Sequence, residues 1–239
     1  MIKGLLSFFH PLEVIRRKRK QYISSFKLTQ TQLNLIKTDL PELTDLSKDV
    51  DFIVLDIETT GFDSHSDLIL SMGWVSISNN MIDLTSAKHL YLNNDSQINA
   101  ETAVINHIIP QMLAEGVSIH DAMMTFFEEA KGKVIVAHAC IMEENFINQY
   151  LHNSYRLAPL PLLWIDTLCL EKNMAKVINN QQDVDLTLAA TRERYGLPEY
   201  NSHNALADAV STAELLLAQQ KRLSPHNCIT IGNLYRRCK

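Results

Sequence analysis

Residues 51–61, Asp51-Phe-Ile-Val-Leu-Asp56-Ile-Glu58-Thr-Thr-Gly61, constrain this chain more than any other stretch. Ile53, Val54, Leu55 and Ile57 are apolar or β-favouring, and Thr-Thr-Gly closes the run as a turn, so the segment reads as a strand. Side chains alternate along a strand, which points Asp56 and Glu58 to one face. Two carboxylates side by side at the end of a buried strand are costly unless something positive lies between them. A divalent metal ion suits the role, because hard cations take carboxylate oxygens. A bare Asp-x-Glu also occurs as an acidic strand end facing solvent. The apolar run before this one and the turn after it favour the metal-binding alternative.

The rest of the chain reads as strands followed by helices. Leu68 to Ile77 is a second strand, Ser78-Asn-Asn80 a hairpin turn, and Leu84 to Leu92 a third strand, together an antiparallel meander. Ser118 caps a helix to about Ala130, with Asp121 at the capping-box distance and Gly132 past its end. Lys133 to Ala137 is a short apolar strand of the kind buried on both faces. A helix from Glu143 to Leu151 follows, then a short strand at Leu162 to Ile165, with Asp166 capping the next helix. Asp185 caps a helix over Leu186 to Tyr195, stopped by Gly196 and Pro198, and the last main helix covers Ala205 to Gln220.

The expected organisation is an N-terminal helical and basic extension at 1–48, one domain at 49–222 and a tail of weak pattern at 223–239. The 239 residues suffice for one good core. The basic run Arg16-Arg-Lys-Arg-Lys20 reads first as a solvated helix face, and alternatively as a phosphate-binding or partner-binding patch. Net charge is −5, so contact with a polyanion has to come from a local patch or from metal ions. The four cysteines show neither CxxC pairing nor zinc-ligand spacing, which fits reduced thiols. The sequence has no apolar run of ~18 residues that would suggest a membrane span. The apolar stretch Gly4 to Phe9 is short for a signal peptide and precedes no cleavage site. A cytoplasmic location is expected.

A second chemical stretch is His203-Asn-Ala-Leu-Ala-Asp208. Asp208 falls in the first turns of the last helix, where it can turn toward a metal or simply complement the helix N-terminus. His203 lies just before that helix, within reach of the same place.

Together these stretches resemble the DEDD superfamily of 3′→5′ exonucleases, specifically its histidine branch, which includes the epsilon proofreading subunit of bacterial replicative DNA polymerase. Three motifs stand in the family's order: Asp56-x-Glu58-Thr-Thr-Gly61, Val136-Ala-His138-Ala-Cys-Ile-Met-Glu143-x-x-Phe146-Ile, and His203-x-Ala205-x-x-Asp208. Asp166-Thr-Leu168 matches a further stretch of the family. The tyrosine branch would carry Tyr at position 204, where this chain has Asn204. The second motif departs from the pattern: the family has Asp where this chain has Glu143, and usually Asn where it has Ala139. Asn106-His107-Ile-Ile-Pro110 matches in part a stretch that lies near the substrate terminus.

The resemblance implies an RNase H-like α/β fold, a mixed five-stranded sheet flanked by helices, and two-metal hydrolysis of phosphodiester bonds. Asp56, Glu58, Glu143 and Asp208 would hold two Mg²⁺ or Mn²⁺ ions, and His203 would be the general base. Thr59, Thr60, Gly61, His107 and His203 would meet the substrate. The implied partner is the 3′ end of single-stranded nucleic acid, DNA before RNA, with a DNA polymerase as a further partner. Gln32-Leu-Asn-Leu-Ile36 resembles the short peptide by which bacterial replication proteins dock on the sliding clamp. The alternatives are an RNA-trimming exonuclease of the same branch, or a catalytically weakened binding module, for which Glu143 is the main support.

Overall fold

A computed structural model describes residues 8–93, 108–178, 184–226 and 228–238. Three strands open the central unit: β1 (Phe52–Thr59), β2 (Ile69–Ser78) and β3 (Met81–Tyr91). They form the expected meander, antiparallel throughout. The hairpin between β2 and β3 turns on Asn79 and Asn80, both at positive φ (52° and 59°), a conformation asparagine tolerates better than most residues. That two-residue turn lets β3 begin at Met81, three residues earlier than the sequence pattern indicates. β4 (Val134–Ala137) and β5 (Trp164–Asp166) add in parallel on the other side of β1, giving the order β3-β2-β1-β4-β5. The mixed five-stranded sheet is the one the resemblance implies.

Helices cover both faces. On one face, Ile53, Leu55 and Ile57 of β1 pack with Met123, Phe126 and Phe127 of an α-helix at Ile119–Ala130 and with Phe146 and Ile147 of another at Ile141–Tyr155. On the other, Phe52 and Val54 pack with Ala213 and Leu216 of the long helix Ala205–Leu223. In chain order the helices are α1 (Pro11–Ser25), α2 (Gln30–Lys37), α3 (Pro110–Ala114), α4 (Ile119–Ala130), α5 (Ile141–Tyr155), α6 (Thr167–Ile178), α7 (Leu188–Arg194), α8 (Ala205–Leu223) and α9 (Ile231–Arg236). Thr187, not Asp185, caps α7; Asp185 instead accepts from the Thr187 amide at 2.9 Å one turn earlier. Asp166 caps α6 as expected, accepting from Leu168 and Cys169 amides.

The two chain ends differ from their sequence appearance. The stretch after Ser224 carries α9, whose Ile231, Leu234 and Tyr235 are buried in the second core face. Residues 43–47 run against 229–232 through three backbone hydrogen bonds: Ser47 N to Ile229 O, Ile231 N to Asp45 O and Gly232 N to Leu43 O. His10 joins the same seam through Nε2 and the Gly232 carbonyl, 3.1 Å apart. The basic run on α1 is divided. Arg19 is buried, donating to the Pro161 and Thr38 carbonyls, and Arg16 donates to those of Leu40 and Pro41. Arg17, Lys18 and Lys20 remain exposed. Two of the five residues are therefore an internal brace, and the other three form a solvated face. Gln32, Leu35 and Ile36 are buried as well, with Gln32 closing a capping box on Thr29. The clamp-like peptide thus keeps its distinguishing side chains inside the fold. Among the described residues no helix is long and apolar enough to cross a membrane.

Candidate active site

Phe52, Val54, Asp56 and Glu58 share one face of β1, and the same face passes from core to chemistry along its length. Phe52 and Val54 lie against α8, and Asp56 and Glu58 follow where α8 begins. Asp208, in the first turn of α8, comes to meet them. Its approach depends on Gly73, the β2 residue paired with Asp56. A β-carbon at Gly73 would collide with the Ala205 carbonyl and the Leu206 amide, so glycine lets the start of α8 lie directly on the sheet. One oxygen from each of Asp56, Glu58 and Asp208 lies within 4.8 Å of the others.

Burial acts on all three. Asp56 titrates well above the usual carboxylate range, first because of burial and then because Glu143, Asp208 and Glu58 face it. Glu58 is pushed to about 7 by burial and by Asp208. Asp208 is also raised by burial, against the pull of the neighbouring Tyr200 side chain and of the Asn204 amide, which donates to it at 3.0 Å. Among the described residues no lysine or arginine forms an ion pair with any of them.

Glu143 stands apart. It sits in the first turn of α5, buried, with its charge felt at Asp56, yet it is not one of the three clustered carboxylates. Its Oε2 has no hydrogen-bond partner. Burial and the neighbouring Asp166 raise it to about 8. Asp166 itself is engaged, accepting from the Ala139 amide at 3.0 Å.

A cleft of about 760 Å³ runs past this cluster, lined by Asp56, Glu58, Thr59, Thr60, Gly61, Phe62, His138, Met142, Tyr200, His203 and Asp208 among others. The turn after β1 is held by Asp67, which accepts from the Thr60 hydroxyl at 2.9 Å and the Asp63 amide at 2.9 Å. Gly61 packs against that carboxylate where a β-carbon would clash. Two histidines line the cleft. His138 is tied at both ring nitrogens, to the Thr167 hydroxyl and the Leu186 carbonyl, each at 2.8 Å, and burial lowers its pKa. His203 is exposed, on a backbone at φ 64° just before α8, and it also borders a second cavity of about 630 Å³ beside Glu58. His107 lies outside the described residues. Gly73, Asp67 and Tyr200 are the site's contributors that sequence reasoning passed over. Gly73, in the middle of a β-patterned run, was the one visible signal.

The donor set fits a hard divalent cation. It consists of carboxylate oxygens raised by burial and, at Asp56 and Glu58, by neighbouring carboxylates, with a buried Glu143 oxygen left over nearby.

An α/β unit with a β3-β2-β1-β4-β5 mixed sheet and carboxylates where α8 meets β1 is an RNase H-like nuclease architecture. The chain belongs to the exonuclease family, whose model matches residues 53–216. It is 30% identical over 169 residues to a DNA polymerase III PolC-type of Thermotoga maritima, covering 71% of this chain and 12% of that protein. It is 28% identical over 184 residues to a 3′-5′ exonuclease DinG of Staphylococcus haemolyticus, covering 77% and 20%. The chain thus spans no more than about a fifth of the length of these relatives. E. coli exonuclease I in complex with a dA16 oligonucleotide shares the fold, with a TM-score of 0.62 and 15% identity, over 75% of this chain and 42% of that one. The family is the one the three motifs indicate.

Proposed function

We propose that this chain is a divalent-metal-dependent 3′→5′ exonuclease that removes nucleoside monophosphates from 3′ ends of single-stranded DNA, in proofreading or repair in the cytoplasm. The convergence of Asp56, Glu58 and Asp208 beside an open cleft, without a cationic side chain among them, carries the reading. Residues 49–222 are the catalytic unit, and the two chain ends brace it. Asp56, Glu58 and Asp208 would hold Mg²⁺ or Mn²⁺, with Glu143 reaching the second of two ions. Such ions, when bound, acidify a coordinated water and neutralise charge on the phosphate and the leaving oxygen. His203 takes the proton from the attacking water, since histidine as a residue type titrates near neutrality. His138 has both nitrogens engaged and serves as structure. Thr59, Thr60 and Gly61 lie along the cleft and approach the terminal nucleotide, joined by His107. The PolC-type relative supports a polymerase as partner.

The offset of Glu143 favours a second reading, a catalytically weakened member that binds nucleic acid. One experiment separates the two. The protein is incubated with 3′-labelled single-stranded DNA or RNA, in Mn²⁺ or EDTA, beside Asp56→Ala. Mononucleotide release that needs Mn²⁺ and falls about 10³-fold or more in Asp56→Ala is expected. Binding of both oligonucleotides without cleavage would establish the weakened module, and faster release from RNA would move the substrate class. Glu143→Asp preserves or raises the rate if Glu143 is a ligand.

A further inference from the structure

We propose that the second cavity, beside Glu58, is a subsite for a nucleobase, that of the nucleotide on the 5′ side of the scissile phosphate, with Ser71 and His89 as its hydrogen-bonding floor. This rests on the exonuclease reading of the neighbouring carboxylates. The cavity encloses about 630 Å³, within the range that holds small ligands. Its floor is the sheet. Glu58 pairs with Ser71 and Ser71 with Tyr91, while Asp56 pairs with Gly73 and Gly73 with His89. Residues opposite one another on neighbouring strands point to one face. The face that carries Asp56 and Glu58 therefore continues sideways into Ser71, His89 and Tyr91. Ile108 adds a buried apolar wall, and the exposed Asn201, Ser202 and His203 form the rim.

Two polar atoms of that floor are unanswered. Ser71 is fully buried and its Oγ has no hydrogen-bond partner; His89 Nε2 is likewise buried and unpartnered. Buried polar groups cost free energy unless a partner reaches them, so both atoms suit a ligand that brings one. A hydroxyl and an imidazole nitrogen can each donate or accept, which matches the mixed donors and acceptors on the edge of a nucleobase. The His89 and Tyr91 rings, with centroids 4.5 Å apart, add aromatic surface beside them. A phosphate fits poorly, because the described residues lining the cavity include Glu58 and no lysine or arginine. The cavity and the main cleft share Glu58, Tyr200, Ser202 and His203. The scissile phosphate belongs at that junction, beside the proposed metal ligands and general base, and a phosphodiester carries a nucleoside on either side. Thr59, Thr60 and Gly61 on the cleft side take the terminal one, which leaves the second cavity for its 5′ neighbour.

Both polar atoms can be removed at little cost to the fold, because neither is bonded within it. Binding of fluorescein-labelled single-stranded DNA is followed by anisotropy in Ca²⁺ for the full-length protein, Ser71→Ala and His89→Phe, and thermal unfolding is recorded in EDTA. Three strands are compared: intact, abasic at the 3′-terminal position, and abasic at the penultimate position. Wild type should bind the penultimate-abasic strand about tenfold more weakly than the intact one. Each variant should lose about 3–10-fold on the intact and terminal-abasic strands and nothing on the penultimate-abasic strand, with a Tm within about 2 °C of wild type. Variants that bind the intact strand as wild type does overturn the proposal. So does a loss that persists on the penultimate-abasic strand, which would make the two residues structural. A loss that vanishes only on the terminal-abasic strand would give the cavity to the terminal base and overturns it too, as does a wild-type protein that binds none of the strands. Cleavage is read separately in Mn²⁺: a protein that shows the expected binding pattern but releases no mononucleotide refutes the exonuclease assignment and leaves the penultimate-base subsite standing.

Discussion

Glu171 and Glu143 are the same residue type, both on helices, both sealed from solvent at 1% and 3% exposure, and they are treated oppositely. Glu171 on α6 accepts from the Tyr195 hydroxyl at 2.8 Å, from Gln219 Nε2 at 3.3 Å and from Arg194 at 3.5 Å. Its charge is answered within the fold. Glu143 on α5 keeps one oxygen without a partner and is pushed up to about 8. Asp56 and Glu58 are also raised, by burial and by neighbouring carboxylates, and Asp208 by burial. Buried carboxylates are tolerated when donors surround them, and costly otherwise. The fold supplies three donors to Glu171 but, among the described residues, no ion-pair partner to Asp56, Glu58, Asp208 or Glu143, and that contrast is what the proposed metal site explains.

Breaking the structural side of this contrast should have the largest effect on stability. Glu171→Ala strands the Tyr195 hydroxyl, the Gln219 amide and the Arg194 charge, and should cost about 3 kcal/mol in denaturant unfolding, with Mn²⁺ affinity unaffected. A cost below about 0.5 kcal/mol would erase the distinction between the two glutamates. Gly73→Ala comes next. The added methyl meets the backbone of Ala205 and Leu206, so it should cost about 1–3 kcal/mol by overpacking and weaken Mn²⁺ binding by displacing Asp208. Unchanged binding there would mean that the approach of α8 does not set the cluster. The smallest effect carries the opposite sign. At about pH 9, above the raised pKa of Glu143, Glu143→Gln removes a charge that burial opposes, and should raise the Tm of the metal-free protein by about 2–4 °C. A lower Tm in EDTA would show that Glu143 is satisfied within the fold after all.

How much of this was legible in sequence follows from the range of each signal. Asp56, Glu58 and the strand beneath them are a local pattern, period two ending in a turn, and the structure brings Asp208 to them from the third motif. The five-stranded sheet followed from the resemblance, not from periodicity. Gly73 was written into an ordinary β run, and its purpose depends on a helix that begins far along the chain at Ala205, which no local period encodes. The two ends misled for the same reason. Leu12, Ile231 and Tyr235 bury against the core, and residues 43–47 pair with 229–232, but each piece alone is too short to show a face. Arg19 looked like surface charge because its partners are carbonyls, which leave no mark in a sequence, and Arg16 adds two carbonyls to its ion pairs with Glu13 and Glu42. Glu143 carries the motif's charge with one more methylene, and its place beside Asp56 but outside the three-way cluster could be seen only in three dimensions.

The pH dependence gives the central claim its sign. In the metal-free protein Glu58 is raised to about 7 and Glu143 to about 8 from an ordinary 4.5, and Asp56 and Asp208 are raised as well. The folded state therefore holds protons that the unfolded chain has already lost. The stability these groups contribute is complete below about pH 4 and is lost as pH rises to about 8. A cation that binds the ionised carboxylates should restore it. The most direct measurement is thermal unfolding at pH 8 in EDTA and in Mn²⁺ at about a hundredfold excess over its Kd, for wild type and Asp56→Asn. Mn²⁺ should raise the wild-type Tm by about 5–10 °C and leave Asp56→Asn nearly unmoved. A wild-type Tm that Mn²⁺ does not change, or an equal rise in Asp56→Asn, would contradict the assignment of these carboxylates to a metal site.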